Sequence, residues 1–176
     1  VAIDLRHDES TEEHRIMRED FRAFYRRERR SVIGLAYVLS GSRSGAEDLA
    51  QEAFMAAYRR WDQLSGYDDP GAWVRRVVAN KSASWIRRRA AETRALLRFG
   101  GEDYTVPPLD AEADLIWREV RKLPTRQAQV IALRYLDGRD VAEIARILEC
   151  SENTVHTHLR RGREKLASRL DDKETR

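Results

Sequence analysis

The sequence predicts an all-α protein made of two small helical domains joined by a flexible linker. Three observations carry that expectation. Apolar residues recur at helical spacing through most of the chain, no stretch alternates as a strand would, and glycine (9) and proline (4) are too scarce for a turn-rich β fold. At 176 residues the chain is long for one compact domain and sufficient for two.

Residues 1–14 are polar and read as a flexible tail. From Ile16 to Leu39 the set Phe21, Phe24/Tyr25, Val32, Leu35/Ala36 and Leu39 predicts one long amphipathic helix. Gly34 weakens it by about 1 kcal/mol against Ala. The stretch Ser40-Gly41-Ser42-Arg43-Ser44-Gly45 breaks it. Ser44 with Glu47 three residues later has capping-box form and predicts the start of a second helix. The stripe of that helix is Leu49/Ala50, Ala53/Phe54, Ala57/Tyr58 and Trp61. A loop over residues 64–71 follows. A third helix runs from about Ala72 into the nineties, with Trp73, Val74, Val77, Val78, Trp85 and Ile86 as its apolar set. Between Phe99 and Asp110 the periodicity is lost, and Gly100-Gly101 and Pro107-Pro108 mark a linker. Four shorter helices are predicted over 111–122, 125–136, 140–148 and 152–170. Pro108 and Pro124 stand just ahead of helical runs, where proline is tolerated. The domains are therefore drawn at 15–98 and 112–172, with 99–111 as the linker.

Lysine and arginine (33) nearly balance aspartate and glutamate (30), so the distribution of charge says more than the net +3. The lone cysteine, Cys150, excludes an internal disulfide and a multi-cysteine zinc site and reads as a small packing residue. No apolar run approaches the roughly 20 residues of a membrane span. Asp4, Arg6, Asp8 and Glu9 come too early for a signal peptide. The expectation is a cytoplasmic protein without membrane insertion and without a cofactor.

The sharpest local feature lies near the C-terminus. Val141, Ile144, Ala145 and Leu148 fall at i, i+3, i+4 and i+7, with Asp140 and Glu143 placed as a cap. Glu149-Cys150-Ser151 makes a three-residue turn, and Ser151 can cap the next helix. There Val155, Leu159, Gly162, Leu166 and Leu170 share one side. Asn153, Thr157, Arg160 and Glu164 take the other, flanked by His156 and Arg161. Small Ala145 lets the two helices cross closely. This is a helix-turn-helix, whose second helix can present side chains to base edges and phosphates. The bland alternative is a helical hairpin with a solvated face. His156 and His158, two residues apart on a helix, face different ways and do not make a metal site. The third helix is densely cationic, with Arg75, Arg76, Lys81, Arg87, Arg88, Arg89, Arg94 and Arg98 against Glu92, and Trp73 and Trp85 interleaved. Cations track a phosphate backbone and aromatics stack on unpaired bases.

Together the two modules resemble a known family. Asp48-Leu49-Ala50-Gln51-Glu52-Ala53-Phe54, then residues 72–80 and Arg87-Arg88-Arg89, are similar to region 2 of extracytoplasmic-function (ECF) RNA polymerase sigma factors. Leu123-Pro124, Val130-Ile131-Ala132-Leu133-Arg134-Tyr135, Ile144-Ala145, Thr154-Val155 and Leu159 resemble region 4. This is group 4 of the sigma-70 superfamily, which carries regions 2 and 4 only. The resemblance covers roughly residues 15–170.

The resemblance implies a bacterial transcription initiation factor with no catalytic site of its own. Its partners would be core RNA polymerase (the β′ clamp helices and the β subunit) and promoter DNA, with an anti-sigma factor as a further partner of the class. Asp48, Gln51 and Glu52 would meet the polymerase clamp. The loop at Ser65, Gly66 and Tyr67, with Trp73 and Asn80, would hold a base flipped from a melted −10 element. Arg75, Arg76, Lys81, Arg87 and Arg88 would hold its backbone. Asn153, Thr154, His156, Thr157, Arg160 and Arg161 would read the −35 duplex, and Arg134 and Arg139 would add phosphate contacts. Glu102, Asp103, Asp110, Glu112 and Asp114 of the linker region would suit a mimic of the transcript's charge.

Three positions depart from the usual pattern. Glu149 stands where Gly is common, which makes a left-handed turn residue less comfortable. His156 and His158 stand where Lys, Ser or Arg are common, and the loop over residues 67–71 is variable in the family. Two rivals remain at this stage. One is a homodimeric helix-turn-helix regulator that binds operators without polymerase, against which the cationic tryptophan-bearing helix argues. The other is a nucleic-acid enzyme, for which no clustered carboxylates or nucleophile are present.

Overall fold

The computed structural model describes residues 5–98 and 111–174, with side chains over 20–88 and 115–171. Among the described residues every regular element is a helix: α1 (Leu5–Ser40), α2 (Arg43–Tyr58), α3 (Trp61–Leu64), α4 (Pro70–Arg98), α5 (Ala111–Arg121), α6 (Thr125–Tyr135), α7 (Val141–Leu148) and α8 (Glu152–Glu174). The expected all-α class holds. The predicted linker at 99–111, with Glu102, Asp103 and Asp110, lies outside the described residues apart from its last position. The side chains of Glu112 and Asp114 lie outside them too.

Helices α1, α2 and α4 pack against one another as an N-terminal bundle, with the single turn α3 beneath. Val32, Leu35, Ala36 and Leu39 of α1 meet Leu49, Ala53 and Phe54 of α2 and Val74 and Val78 of α4, all buried. Phe24 and Phe21 close one end against Trp61, with ring centroids 4.7 and 5.2 Å away. In the C-terminal module α8 lies across α6 and α7. Val130, Ile131, Leu133, Ile144, Ile147, Val155 and Leu159 form its core.

The boundaries differ from the sequence reading in three places. Helix α1 begins at Leu5, so most of the segment read as a tail is helical. The segment carries Glu9, Glu12 and Glu13, good helix formers, and extending an existing helix is far easier than nucleating one. Helix α2 is capped by Ser42 rather than Ser44: Ser42 has extended backbone (φ −140°, ψ 132°) and its hydroxyl accepts from the Gly45 amide at 3.2 Å. Trp61 does not extend α2, which ends at Tyr58; with Leu64 it forms α3 and plugs the bundle floor.

The larger departure concerns the two modules. The sequence suggests independent bodies on a linker, and the structure seats one on the other. Helix α4 packs on α7, and α1 packs on α5 and α6. The Gln129 side chain donates to the Ala79 carbonyl at 2.6 Å, and Arg121 donates to the Val38 carbonyl at 3.3 Å.

Candidate nucleic-acid interface

The helix-turn-helix is built as the spacing predicts. Asp140 accepts from the Glu143 amide and Glu143 accepts from the Asp140 amide, each at 2.8 Å, a complete capping box. Glu149 ends α7 in the left-handed region at φ 52°, ψ 52°, where glycine is the residue expected. The amides of Glu149 and Cys150 both return to the Ala145 carbonyl. Ser151 then caps α8, its hydroxyl accepting from the Thr154 amide at 3.2 Å. Val155 and Leu159 are buried beneath α8, and Gly162 lets it approach α6, since a Cβ there would stand 3.1 Å from Ile131.

The outward face of α8 carries Asn153, His156, Arg160 and Arg161, all exposed, with Thr154 and Thr157 partly so. Thr157 returns its hydroxyl to the Asn153 carbonyl at 2.9 Å. Arg160 pairs with Glu164 at 2.9 Å, both well exposed. Such a pair is worth about 0.3–0.5 kcal/mol, so the guanidinium is readily surrendered to a stronger anion. His158 turns inward. Its Nδ1 is buried with no hydrogen-bond partner, and burial, with the charges of Arg161 and Arg126, holds its pKa below the ordinary value. Arg134 donates to the Arg139 carbonyl at 3.0 Å. Arg139 sits among Asp137, Glu143 and Asp69.

On α2, Leu49, Ala53 and Phe54 point inward and Asp48, Gln51 and Glu52 lie exposed in one row. Glu52 reaches Lys81 of α4 at 2.6 Å, which joins the acidic row to the cationic helix. Trp85 packs over the start of α2, where a Cβ on Gly45 would stand only 2.4 Å from its ring; glycine is required for that contact. Arg87 and Arg88 are exposed, as are Asn80 and the loop residues Ser65, Gly66 and Tyr67. Trp73 is half-buried.

Arg75 is a correction. It was expected on the cationic strip, yet its side chain is 2% exposed. Arg75, Val78, Ala79 and Ser82 stand at i, i+3, i+4 and i+7 and are all buried, so position 75 belongs to the inward face of α4. All five guanidinium donors are used. They reach Asp137 twice (2.5 and 3.3 Å), Glu28 (2.8 Å), the Gly71 carbonyl (3.1 Å) and the Ser31 hydroxyl (3.0 Å). Ser31 also donates to Asp137. Burial raises the pKa of Asp137, but hydrogen bonds from Arg75 and Ser31 and the charge of Arg75 outweigh it and leave it below the ordinary value. Glu28 is likewise lowered, against burial, by Arg75 and Arg27. Glu28, Ser31 and Asp137 were not foreseen. Asp137-Gly138 announces a turn, with Gly138 at φ 71°, but nothing in the spacing pairs residue 137 with residue 75.

Arg76 is also diverted. It donates to the Ile147 and Arg146 carbonyls (3.1 and 3.0 Å) and pairs with Glu149. Its cation thus caps the negative end of α7. Above it opens a cleft of about 1220 Å³, with Tyr67, Trp73 and Arg76 on one wall and Arg146, Cys150 and Ser151 on the other. Among the described residues no helix is long and apolar enough to cross a membrane.

The chain matches sigma-70 region 2 over residues 24–92 and sigma-70 region 4 over residues 113–166. It is 32% identical over 156 residues to the ECF RNA polymerase sigma factor SigW of Bacillus subtilis, across 80% of this chain and 83% of that protein. Among solved structures it resembles the sigma factor RpoE of Bartonella quintana, in complex with the anti-sigma factor NepR. The TM-score is 0.70 at 24% identity, over 87% of this chain and 98% of that one. It also resembles CnrH in complex with the cytosolic domain of CnrY, with TM-score 0.67, 25% identity, and 88% and 90% of the two chains.

Proposed function

From the premise that this chain belongs to the ECF family of sigma-70 factors, which direct transcription initiation, we propose how its surfaces divide that task. Helix α8 reads a duplex −35 element. The loop ahead of α4, with Trp73, Asn80, Lys81, Arg87 and Arg88, holds a melted −10 strand. The acidic row of α2 binds the clamp of core RNA polymerase. The chain catalyses nothing: polymerase supplies the chemistry, and binding to two promoter elements supplies specificity. Two weak contacts on one chain reinforce each other through effective concentration. The setting is the cytoplasm, where polymerase is, and an anti-sigma protein is a natural partner, as NepR is for RpoE.

The observation that carries this reading is the outward face of α8. A capped helix offers Asn153 and His156 near its start and Arg160 and Arg161 a turn later, as base-edge and phosphate contacts require. The test is transcription of genomic DNA by core polymerase with and without the purified chain. Discrete new start sites are expected. Their absence across several salt concentrations would overturn the reading. Arg160→Ala should weaken initiation about tenfold, at about 1–3 kcal/mol for a lost base or phosphate contact. The loss should vanish on templates whose −35 element is scrambled; an equal loss there would contradict the assignment to α8.

The α2 surface makes a separate prediction. Asp48→Lys with Glu52→Lys should abolish co-elution with core polymerase in gel filtration while leaving helix content unchanged and melting nearly so, since both side chains are exposed and the Glu52–Lys81 pair lies at the surface. Undiminished co-elution would exclude α2 as the docking face.

A further inference from the structure

Two exposed arginines of this chain are answered by a carboxylate one helical turn further on. Arg43 meets Glu47 and Arg160 meets Glu164. Helix α1 has no such pattern. Residues 22–30 read Arg-Ala-Phe-Tyr-Arg-Arg-Glu-Arg-Arg, five arginines against one glutamate. That glutamate, Glu28, turns to buried Arg75 at 2.8 Å. All five arginines are exposed. At helical spacing Arg22, Arg26 and Arg30 follow one another along a single face, and Arg27 and Arg29 flank it on either side.

The face is guanidinium and little else. Phe24 is buried, and the Tyr25 ring lies against Phe54 of α2, with centroids 4.8 Å apart. Arg27 and Arg29 are held over these two rings, 5.6 and 5.9 Å from their centroids. Arg27 also pairs with Glu28. Among the described residues no carboxylate pairs with Arg22, Arg26, Arg29 or Arg30. Glu47, which lines the groove beside Arg22, is taken by Arg43. Like charges three and four residues apart destabilise a helix, and this segment stacks them repeatedly. A polyanion would relieve that repulsion.

The composition of the face narrows the kind of polyanion. Protein interfaces are built around buried aromatic or aliphatic anchors, and here Ala23 is the one uncharged side chain. A site for unpaired bases needs an exposed ring to stack on, which this face lacks. Planar guanidinium forks fit phosphate oxygens, and a row of them fits a duplex backbone. The buried side of α1 meets α2 and α4, so Arg26 and Arg30 project away from both the acidic row and the helix assigned to the −10 strand.

We infer that the arginine face of α1 is a further DNA contact, which binds duplex phosphates without regard to sequence. It rests on the reading of the chain as a promoter-binding factor and adds a surface outside those given to the −35 and −10 elements. Such a contact strengthens the hold on DNA while leaving the choice of promoter to α8 and the loop ahead of α4.

The test is anisotropy of a short labelled duplex that carries neither promoter element, titrated with the full chain over a series of salt concentrations. With Arg22→Gln, Arg26→Gln and Arg30→Gln together, the slope of log affinity against log salt should fall by roughly 2 to 3, at about 0.9 for each phosphate no longer neutralised. The loss should be alike for every duplex sequence. Lysine at the same three positions should keep most of the slope, because it keeps the charges. If the triple glutamine variant loses helix content by circular dichroism, Arg26→Gln alone should still lower the slope by about 1. A wild-type chain that does not bind the duplex, or glutamine variants with the wild-type slope, would overturn the contact. Glutamine variants that bind DNA as wild type does but no longer co-elute with core polymerase would also overturn it, and would give the face to an acidic protein surface. The titration uses neither polymerase nor promoter. A chain that directs no transcription therefore refutes the functional reading, while duplex binding still decides this one.

Discussion

Arg75→Met is expected to lower the stability of the protein by about 3–5 kcal/mol, a shift in melting temperature of roughly 6–20 °C for a chain of this size. Methionine fills similar space, so packing is largely kept. The loss comes from the partners. Glu28 keeps Arg27 and, at 13% exposure, can draw water. Asp137 cannot: it is 1% exposed and would keep only Ser31 and Arg139. Taking the main partner from a buried carboxylate costs more than the net worth of the pair that held it. The same reasoning fixes the sign of the double variant. Arg75→Met with Asp137→Leu removes both charges and should recover most of the lost stability. Calorimetry on the four proteins gives the coupling directly. A double variant no more stable than Arg75→Met would show that packing, not charge compensation, sets the cost.

Acidification is expected to be nearly as damaging, in two stages. His158 has a folded pKa held below its ordinary 6.5 by burial and by Arg161 and Arg126. The unfolded chain therefore takes up a proton there first, and stability begins to fall as pH drops below about 6.5. Asp137 and Glu28 have folded pKa values below their ordinary 3.8 and 4.5, because Arg75 overcomes the effect of burial. Their contribution is present in full above those values and is lost as pH falls through the folded ones. Glu143 acts with them, lowered chiefly by the Asp140 amide. All four groups push the same way, so stability should decline monotonically from neutrality to acid. Urea unfolding at a series of pH values checks this. In Asp137→Asn the steep loss below about pH 4.5 should shrink while the stage near pH 6.5 persists. A stability maximum at or below pH 5 would contradict the assignment.

Most of the architecture was legible in the residues. The i, i+3, i+4, i+7 pattern from Val141 to Leu148 and the Asp140–Glu143 cap specify α7 because both depend only on neighbours along the chain. The same holds for the polar face of α8 and the exposed row on α2. Arg75 shows where such reading fails. Its register marks it as inward beside Val78, Ala79 and Ser82 while its charge favours solvent, and in the fold period wins over charge. Asp137 could not have been found at all, since its partners stand 106 and 62 positions away in sequence. The seating of one module on the other is a tertiary fact of that kind. The start of α2 failed for a smaller reason: three serines within five residues all make acceptable caps, and backbone geometry chose Ser42.

Glu149 sets the strain of one turn against a contact between the two modules. Holding a residue with a Cβ at φ 52° costs on the order of 1–2 kcal/mol that glycine would not incur. The side chain that imposes this cost is the one Arg76 grips across the junction. Glycine at this position would relax the turn and remove this ion pair in a single step, leaving Arg76 its two carbonyls. The resulting protein would be harder to melt yet would hold its two modules together by one contact fewer.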